Sequence, residues 1–288
     1  MSLDKRRHPF RPDLAAENLR DEVEAERYVQ GVRRGIVVAN APLRRLPSPD
    51  APLDTEALFG EHVLVYEERD GWAWAQLELD GYVGYLPASA LGDPVEPTHQ
   101  VVTLRTHAYP GADIKLPPLR ALCFSARVSV ERFEGEFAIA NDGAHYWARH
   151  LAPIDELEPD FVEVARRWLG LPYFWGGRSP EGFDCAGLVQ TALRAAGVNA
   201  PRDSDMQEAE LGEPLPPDTP RARGDFVFWR GHIGVLTDAD TLLHANGFHM
   251  LVVEEPLAEA CRRIETRGGG SVTSIRRGPR LSGNGAAA

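Results

Sequence analysis

The sequence predicts an α+β chain, with two small β-barrels ahead of a C-terminal half built from helices and strands. From Gly35, short alternating runs rich in Val, Leu, Tyr and Trp are broken by Pro, Asp-Gly and Gly, the pattern of a small all-β barrel. A fainter pattern of the same kind fills residues 101–154. From Phe161 the period changes, and two helical stretches precede three strand-like runs.

Residues 1–30 are charged and contain a stretch from Leu14 to Val29 with helical spacing, which reads as a helical arm packed on the body. Residues 31–94 form the first barrel, including EHVLVYEERDGWAWAQLELDGYVGYLPASAL, with Asp70-Gly71 and Asp80-Gly81 as hairpin turns. Residues 95–155 form the second, more divergent barrel, whose ending HYWARHLAPI parallels GYVGYLPASAL. Cys123, inside the apolar run LRALCFSARV, reads as core. The acidic segment DELEPDF marks a boundary, and residues 156–288 form the last domain. There FVEVARRWLGL places Phe161, Val164, Ala165 and Trp168 on one helical face, with Gly170 near its end. In PYFWGGRSPEGFDCAGLVQTALRAAGV, Asp184 is an N-cap for a helix running to Gly197, so Cys185 stands in its first turn. After the Pro-rich EPLPPDTP, the segments GDFVFWR, HIGVLTD and TLLHAN read as successive strands. The tail GGGSVTSIRRGPRLSGNGAAA is rich in small residues and reads as frayed at its end.

The bulk numbers narrow the function. A chain of 288 residues suggests two or three domains, and 43% hydrophobic with 26% charged residues is ordinary for a globular protein. A net charge of −12 disfavours nucleic acid and anionic membrane as partners. The N-terminus starts basic but no apolar run of signal length follows, and no stretch approaches a membrane span, so cytoplasmic residence is expected. Cys123, Cys185 and Cys261 are too few and too odd for a disulfide framework, and no Cys/His spacing suggests zinc. No metal or organic cofactor is expected.

A cysteine at a helix start faces unpaired backbone N–H groups and the positive end of the helix dipole, which favour thiolate over thiol. A nucleophile of this type also needs a base and a group to orient it. His232 opens the run HIGVLTD and His244 closes LLHAN, a separation that suits neighbouring imidazoles on adjacent antiparallel strands. A lone histidine in a strand is more often structural; a cysteine at a helix start with two such histidines in order is harder to dismiss.

These residues resemble a known family. GLPYFWGGRSPEGFDCAGLVQ, GDFVFWRGHIGVLTD and LLHAN resemble the motif blocks of the NlpC-type cell-wall peptidases, which are papain-like, over residues 157–255. The resemblance implies that Cys185 attacks the peptide carbonyl, His232 is general base and acid, His244 orients His232, and Tyr173 lies near the oxyanion. FGEHVLVYEERDGWAWAQLELDGYVGYLPASAL in turn resembles a bacterial SH3-like domain, and the weaker segment after it is a candidate second one. Two SH3-like barrels ahead of an NlpC-type catalytic domain resemble the γ-D-glutamyl-L-diamino acid endopeptidases. These cleave small murein-derived peptides with a free N-terminal L-alanine, in cell-wall peptide recycling. Such specificity needs carboxylates and acceptors around an ammonium group. The resemblance points to Tyr82, Asp184, Asp203 and Ser204 for substrate binding, with Glu61 a weaker candidate carboxylate.

One departure stands beside the nucleophile: the family usually has Ser where this chain has Ala186, which removes a side-chain hydroxyl. Alternative readings are a secreted hydrolase of intact peptidoglycan, a catalytically inactive murein-peptide binding protein, or an acyltransferase or amidase on the same scaffold.

Overall fold

The computed structural model describes residues 3–279, and its chain divides between Glu156 and Leu157 into two units. The end of the small-residue tail, residues 280–288, lies outside the described residues. Among the described residues no helix is long and apolar enough to cross a membrane.

The first unit holds the arm and the β-rich segments. The expected arm helix over Leu14–Val29 does not form. The segment contains a short strand at Ala15–Ala16, one 3-10 turn at Glu17–Leu19, and a parallel partner strand at Tyr28–Val29. Leu14, Ala15 and Ala16 are consecutive and all buried. Three adjacent buried residues cannot share one helical face, whereas an extended strand buries side chains on both of its faces. The arm is held to the first sheet instead: Arg6 accepts from the Val83 N–H at 2.8 Å, and Arg11 reaches Glu67 at 2.6 Å and the Tyr85 hydroxyl at 2.9 Å. The Arg11 guanidinium also lies 4.3 Å from the centre of the Trp74 ring.

Beneath the arm is a seven-stranded antiparallel sheet with its core on Ile36, Leu43, Val63, Leu77, Tyr82 and Leu86. The turn between His62–Arg69 and Trp72–Leu77 is Asp70-Gly71 with φ of 50° and 81°, the left-handed pair of a two-residue hairpin. The following β-rich segment builds a five-stranded and a three-stranded sheet around Val101, Ala108, Leu122, Ala126, Val128 and Tyr146. Cys123 is buried there as expected of a core residue. The two segments end alike. Val83–Pro87 leads through a 3-10 turn at Ala88–Ala90 into Leu91–Gly92, and His145–Trp147 leads through one at Ala148–His150 into Leu151–Pro153.

The second unit carries four helices among its described residues. These are α1 (Phe161–Arg166), α2 (Cys185–Ala195), α3 (Ser204–Glu210) and α4 (Leu257–Thr266). Asp160 caps α1, accepting from the Val162 N–H at 2.9 Å, and Phe161, Val164, Ala165 and Trp168 are buried. A six-stranded antiparallel sheet runs in the order Glu213–Pro214, Ser274–Arg277, Phe226–Trp229, His232–Leu236, Thr241–Asn246 and Leu251–Pro256. Helix α2 packs on its centre, and the Ile233 N–H near the start of the strand His232–Leu236 reaches Cys185 in the first turn of that helix.

Replacing Arg11 by Ala removes its ring contact and its ion pair together, and costs ~1–2 kcal/mol of stability. Urea unfolding of the variant measures this; an unchanged midpoint would contradict the arm's attachment through Arg11.

Candidate active site

Helix α2 begins where the Asp184 side chain accepts from the Gly187 N–H at 2.6 Å. The same carboxylate accepts from the Gly176 N–H at 3.0 Å and from both terminal nitrogens of Arg202, at 2.9 and 2.6 Å. Arg202 is 1% exposed, so this is a buried ion pair in which each charge matches the other. One carboxylate thereby fixes the loop before α2, the first turn of α2 and the segment leading into α3. Gly187 permits it: a Cβ there would lie 2.2 Å from the Gly177 carbonyl oxygen.

Cys185 takes the first helical position, nearly buried. Burial, with the Asp184 carboxylate, pushes its thiol up to about 12. The Ile233 N–H, the Arg202 charge and the Ala186 N–H pull the other way and do not prevail. The helix start favours the thiolate, while desolvation works in the opposite direction, toward the neutral thiol.

His232 opens its strand, and the register Val235↔Leu243 and Leu236↔Leu242 puts His232 and His244 on one face as diagonal neighbours. His232 Nε2 lies 2.8 Å from His244 Nδ1, with Trp229 packed 5.6 Å from the His232 ring. That leaves Nδ1 of His232 available to a partner. Gly234 sits between, and a Cβ there would lie 2.6 Å from Leu242 Cδ1 and 3.1 Å from His244 Cβ. Burial, then His244 and the Arg263 charge, lower His232 to about 3. Burial also lowers His244, against the neighbouring Glu255.

Beyond His244 lies a group that sequence reading does not single out. His244 Nε2 is 2.7 Å from Glu255 Oε1, and Arg263 of α4 donates to both Glu255 oxygens. Although burial works to raise it, hydrogen bonds from His244 and Arg263 hold Glu255 down at about 2. The available signal was the acidic pair in LVVEEP, on the strand paired with that of His244. Arg202 and Gln207 are likewise new. The Gln207 side-chain amide donates to the Ala186 carbonyl at 3.0 Å and to that of Pro201 at 2.8 Å, tying α3 to α2.

The other sequence candidates divide. Tyr173 is half-buried, and burial together with Cys185 and Asp184 raises its hydroxyl, so it stays a protonated donor beside the thiol. Asp203 and Ser204 form the start of α3, which Gln207 holds against α2. Tyr82 belongs to the first unit and packs in its barrel core, 4% exposed. Glu61 is also buried in that unit, where it accepts from the Leu58 N–H at 2.9 Å. Among the described residues no cluster of His, Cys, Asp and Glu is placed to hold a metal ion.

Comparison with known proteins adds to this geometry. Residues 43–91 match the bacterial dipeptidyl-peptidase SH3 domain, and residues 170–263 match the NlpC/P60 family. The chain is 28% identical over 223 residues to the γ-D-glutamyl-L-lysine dipeptidyl-peptidase of Bacillus subtilis, covering 68% of this chain and 73% of that one. The protein of the same name in Bacillus cereus is 27% identical over 180 residues, 54% of each. The chain thus spans between about half and three quarters of the length of these relatives. The crystal structure of an NlpC/P60 family protein from Bacillus cereus superposes with a TM-score of 0.71 at 20% identity, over 85% of this chain and 99% of that one, a likeness of fold.

Asp184→Asn keeps a cap but strips the charge that matches Arg202, and costs ~3 kcal/mol or more by leaving a buried cation unpaired. Denaturant unfolding reads this directly; a loss below about 1 kcal/mol, the scale of a surface pair, would show that the ion pair is not structural. The pH dependence follows from the two shifts. A lowered His232 stays neutral below the pH at which ordinary imidazole charges, and a raised Cys185 stays protonated above neutrality. The neutral pair, and with it kcat/KM, therefore holds flat from roughly pH 5 to 8, where ordinary values of about 6.5 and 8.5 would narrow the window. An acid limb near 6.5 would contradict it.

Proposed function

From a chain that carries an NlpC/P60 cysteine peptidase domain behind a bacterial SH3 domain, we propose a dipeptidyl-peptidase that cuts murein-derived peptides between γ-D-glutamate and the following diamino acid. The observation that carries the chemistry is the contact between His232 and His244, set beside a cysteine at a helix start. The bond to be cut is supported by two relatives, each named a γ-D-glutamyl-L-lysine dipeptidyl-peptidase. Release of a dipeptide implies recognition of a free N-terminus, here L-alanine. We place the activity in recycling of cell-wall peptides in the cytoplasm, and read the second β segment as a divergent SH3-like barrel because its strand–turn–strand ending repeats that of the first.

Chemistry starts from the neutral pair. As Cys185 Sγ attacks the carbonyl carbon, its proton passes to Nδ1 of His232. The tetrahedral oxyanion takes hydrogen bonds from the Cys185 N–H, which has no acceptor within the helix, and from the Tyr173 hydroxyl. His232 then gives its proton to the departing amine, leaving the dipeptide as a thioester on Cys185. Water attacks that thioester as His232 takes its proton, and the thiol and a free carboxylate are restored.

For the substrate's ammonium group, Asp203 and Ser204 at the start of α3 are proposed in addition to Asp184. The Asp184 carboxylate is already neutralised by Arg202 and engaged by the Gly176 and Gly187 N–H groups. Ala186 offers no hydroxyl, so the Asp203–Ser204 turn carries a larger share of this recognition.

Incubation with L-Ala-γ-D-Glu-meso-diaminopimelate and with its N-acetylated form separates these claims. Release of diaminopimelate from the free peptide alone is the expected result. Equal turnover of both would remove the free N-terminus from the account, and turnover by Cys185→Ala would remove the mechanism.

A further inference from the structure

The carboxylate of Glu255 lies beyond both histidines, and the steps above make no use of it. We infer that Glu255, gripped by Arg263, is a positioning residue that sets the tautomers of His244 and His232, so that His232 presents an unprotonated Nδ1 to Cys185. The inference rests on His232 being the base proposed above.

Followed inward from Arg263, the hydrogen bonds to the Glu255 carboxylate favour one arrangement of protons. Arg263 donates to both oxygens of Glu255, which stays ionised and has no proton to give. The hydrogen in the 2.7 Å contact with His244 must then sit on His244 Nε2. Neutral His244 is left with a bare Nδ1. That nitrogen is 2.8 Å from His232 Nε2, which must therefore carry the next hydrogen. Neutral His232 is left with its lone pair on Nδ1, the form that accepts a proton from a thiol.

One neighbour works against this order. The Asn246 amide nitrogen approaches His244 Nε2 at 3.0 Å, and it is fixed as a donor because its oxygen accepts from the Phe248 and His249 N–H groups, at 3.1 and 2.9 Å. Acting alone, it would favour a bare Nε2 on His244. Hydrogen would then move to Nδ1 of each ring in turn, and His232 would turn an N–H toward the thiol. A hydrogen bond to a charged acceptor is about twice as strong as a neutral one, so the carboxylate prevails. The other charged and titratable groups facing this carboxylate are Arg263 and His249, whose Nε2 is 3.7 Å from Glu255. Arg263 shares the Phe248 ring with Arg267.

The test compares the full chain with Glu255→Gln, alone and in a His244→Asn background. Asn Oδ1 occupies the place of His Nδ1 and accepts from His232 whatever Glu255 does, so the background uncouples the two. Nitrogen-15 NMR of the imidazoles and the rate of Cys185 alkylation by iodoacetamide need no peptide, so they stand even if the proposed substrate is wrong. In the unaltered chain both rings are expected as Nε2–H tautomers. In Glu255→Gln, His232 is expected to gain Nδ1–H, alkylation to slow at least tenfold, and kcat to fall by roughly 10²-fold or more with KM little changed, in the direction of the ~10⁴-fold cost of a wrong tautomer in a serine protease triad. In the His244→Asn background the same change is expected to alter neither alkylation nor the His232 signal. Nδ1–H on His232 in the unaltered chain, unchanged alkylation in the single variant, or an equal loss in both backgrounds would each overturn the inference.

Discussion

The carboxylate of Asp184 is where the second unit is tied together. It caps α2, holds the Gly176 N–H and takes both terminal nitrogens of the buried Arg202. The position of Cys185, the loop bearing Tyr173 and the approach to α3 all depend on it. A buried ion pair adds little net stability over an apolar pair of the same shape, yet losing one member is costly. Its value here is geometric. Directional bonds to a single carboxylate bring segments eighteen residues apart to one point.

The same bonds shape the electrostatics of Cys185. A thiol next to a carboxylate and away from water is held protonated, and an imidazole in the same dry surroundings is held neutral. Both directions favour a neutral thiol and imidazole over a charged pair. The sheet supplies the other half: antiparallel register aligns His232 with His244, and the next strand adds Glu255. In such a line the carboxylate controls which nitrogen bears each proton without touching the reacting atoms.

What could be read in the sequence was local. Asp184 before a helical run, the Asp70-Gly71 turn and His232 at the start of its strand are all set by residues close in the chain and stand where the pattern placed them, whereas His244 lies inside its strand, which runs on to Asn246. What could not be read was set by distant partners. Arg202 is buried only because it meets Asp184, and Glu255 matters only because strand pairing and α4 bring His244 and Arg263 to it. The arm misleads for the opposite reason: its apolar residues match a helical stripe, but Leu14, Ala15 and Ala16 are buried together as extended chain. Ala186 shows the limit of pattern matching. It stands in the first turn of α2 with its carbonyl held by Gln207, a main-chain role that needs no side-chain hydroxyl.

The central claim is that Cys185 carries the acyl intermediate on its way to a released dipeptide. Rapid acid quench of the enzyme during turnover of L-Ala-γ-D-Glu-meso-diaminopimelate, followed by peptide mass spectrometry, tests it most directly. The account predicts an L-Ala-γ-D-Glu thioester on the peptide containing Cys185. An adduct on Cys123 or Cys261 instead, or turnover by the Cys185→Ala variant, would contradict it.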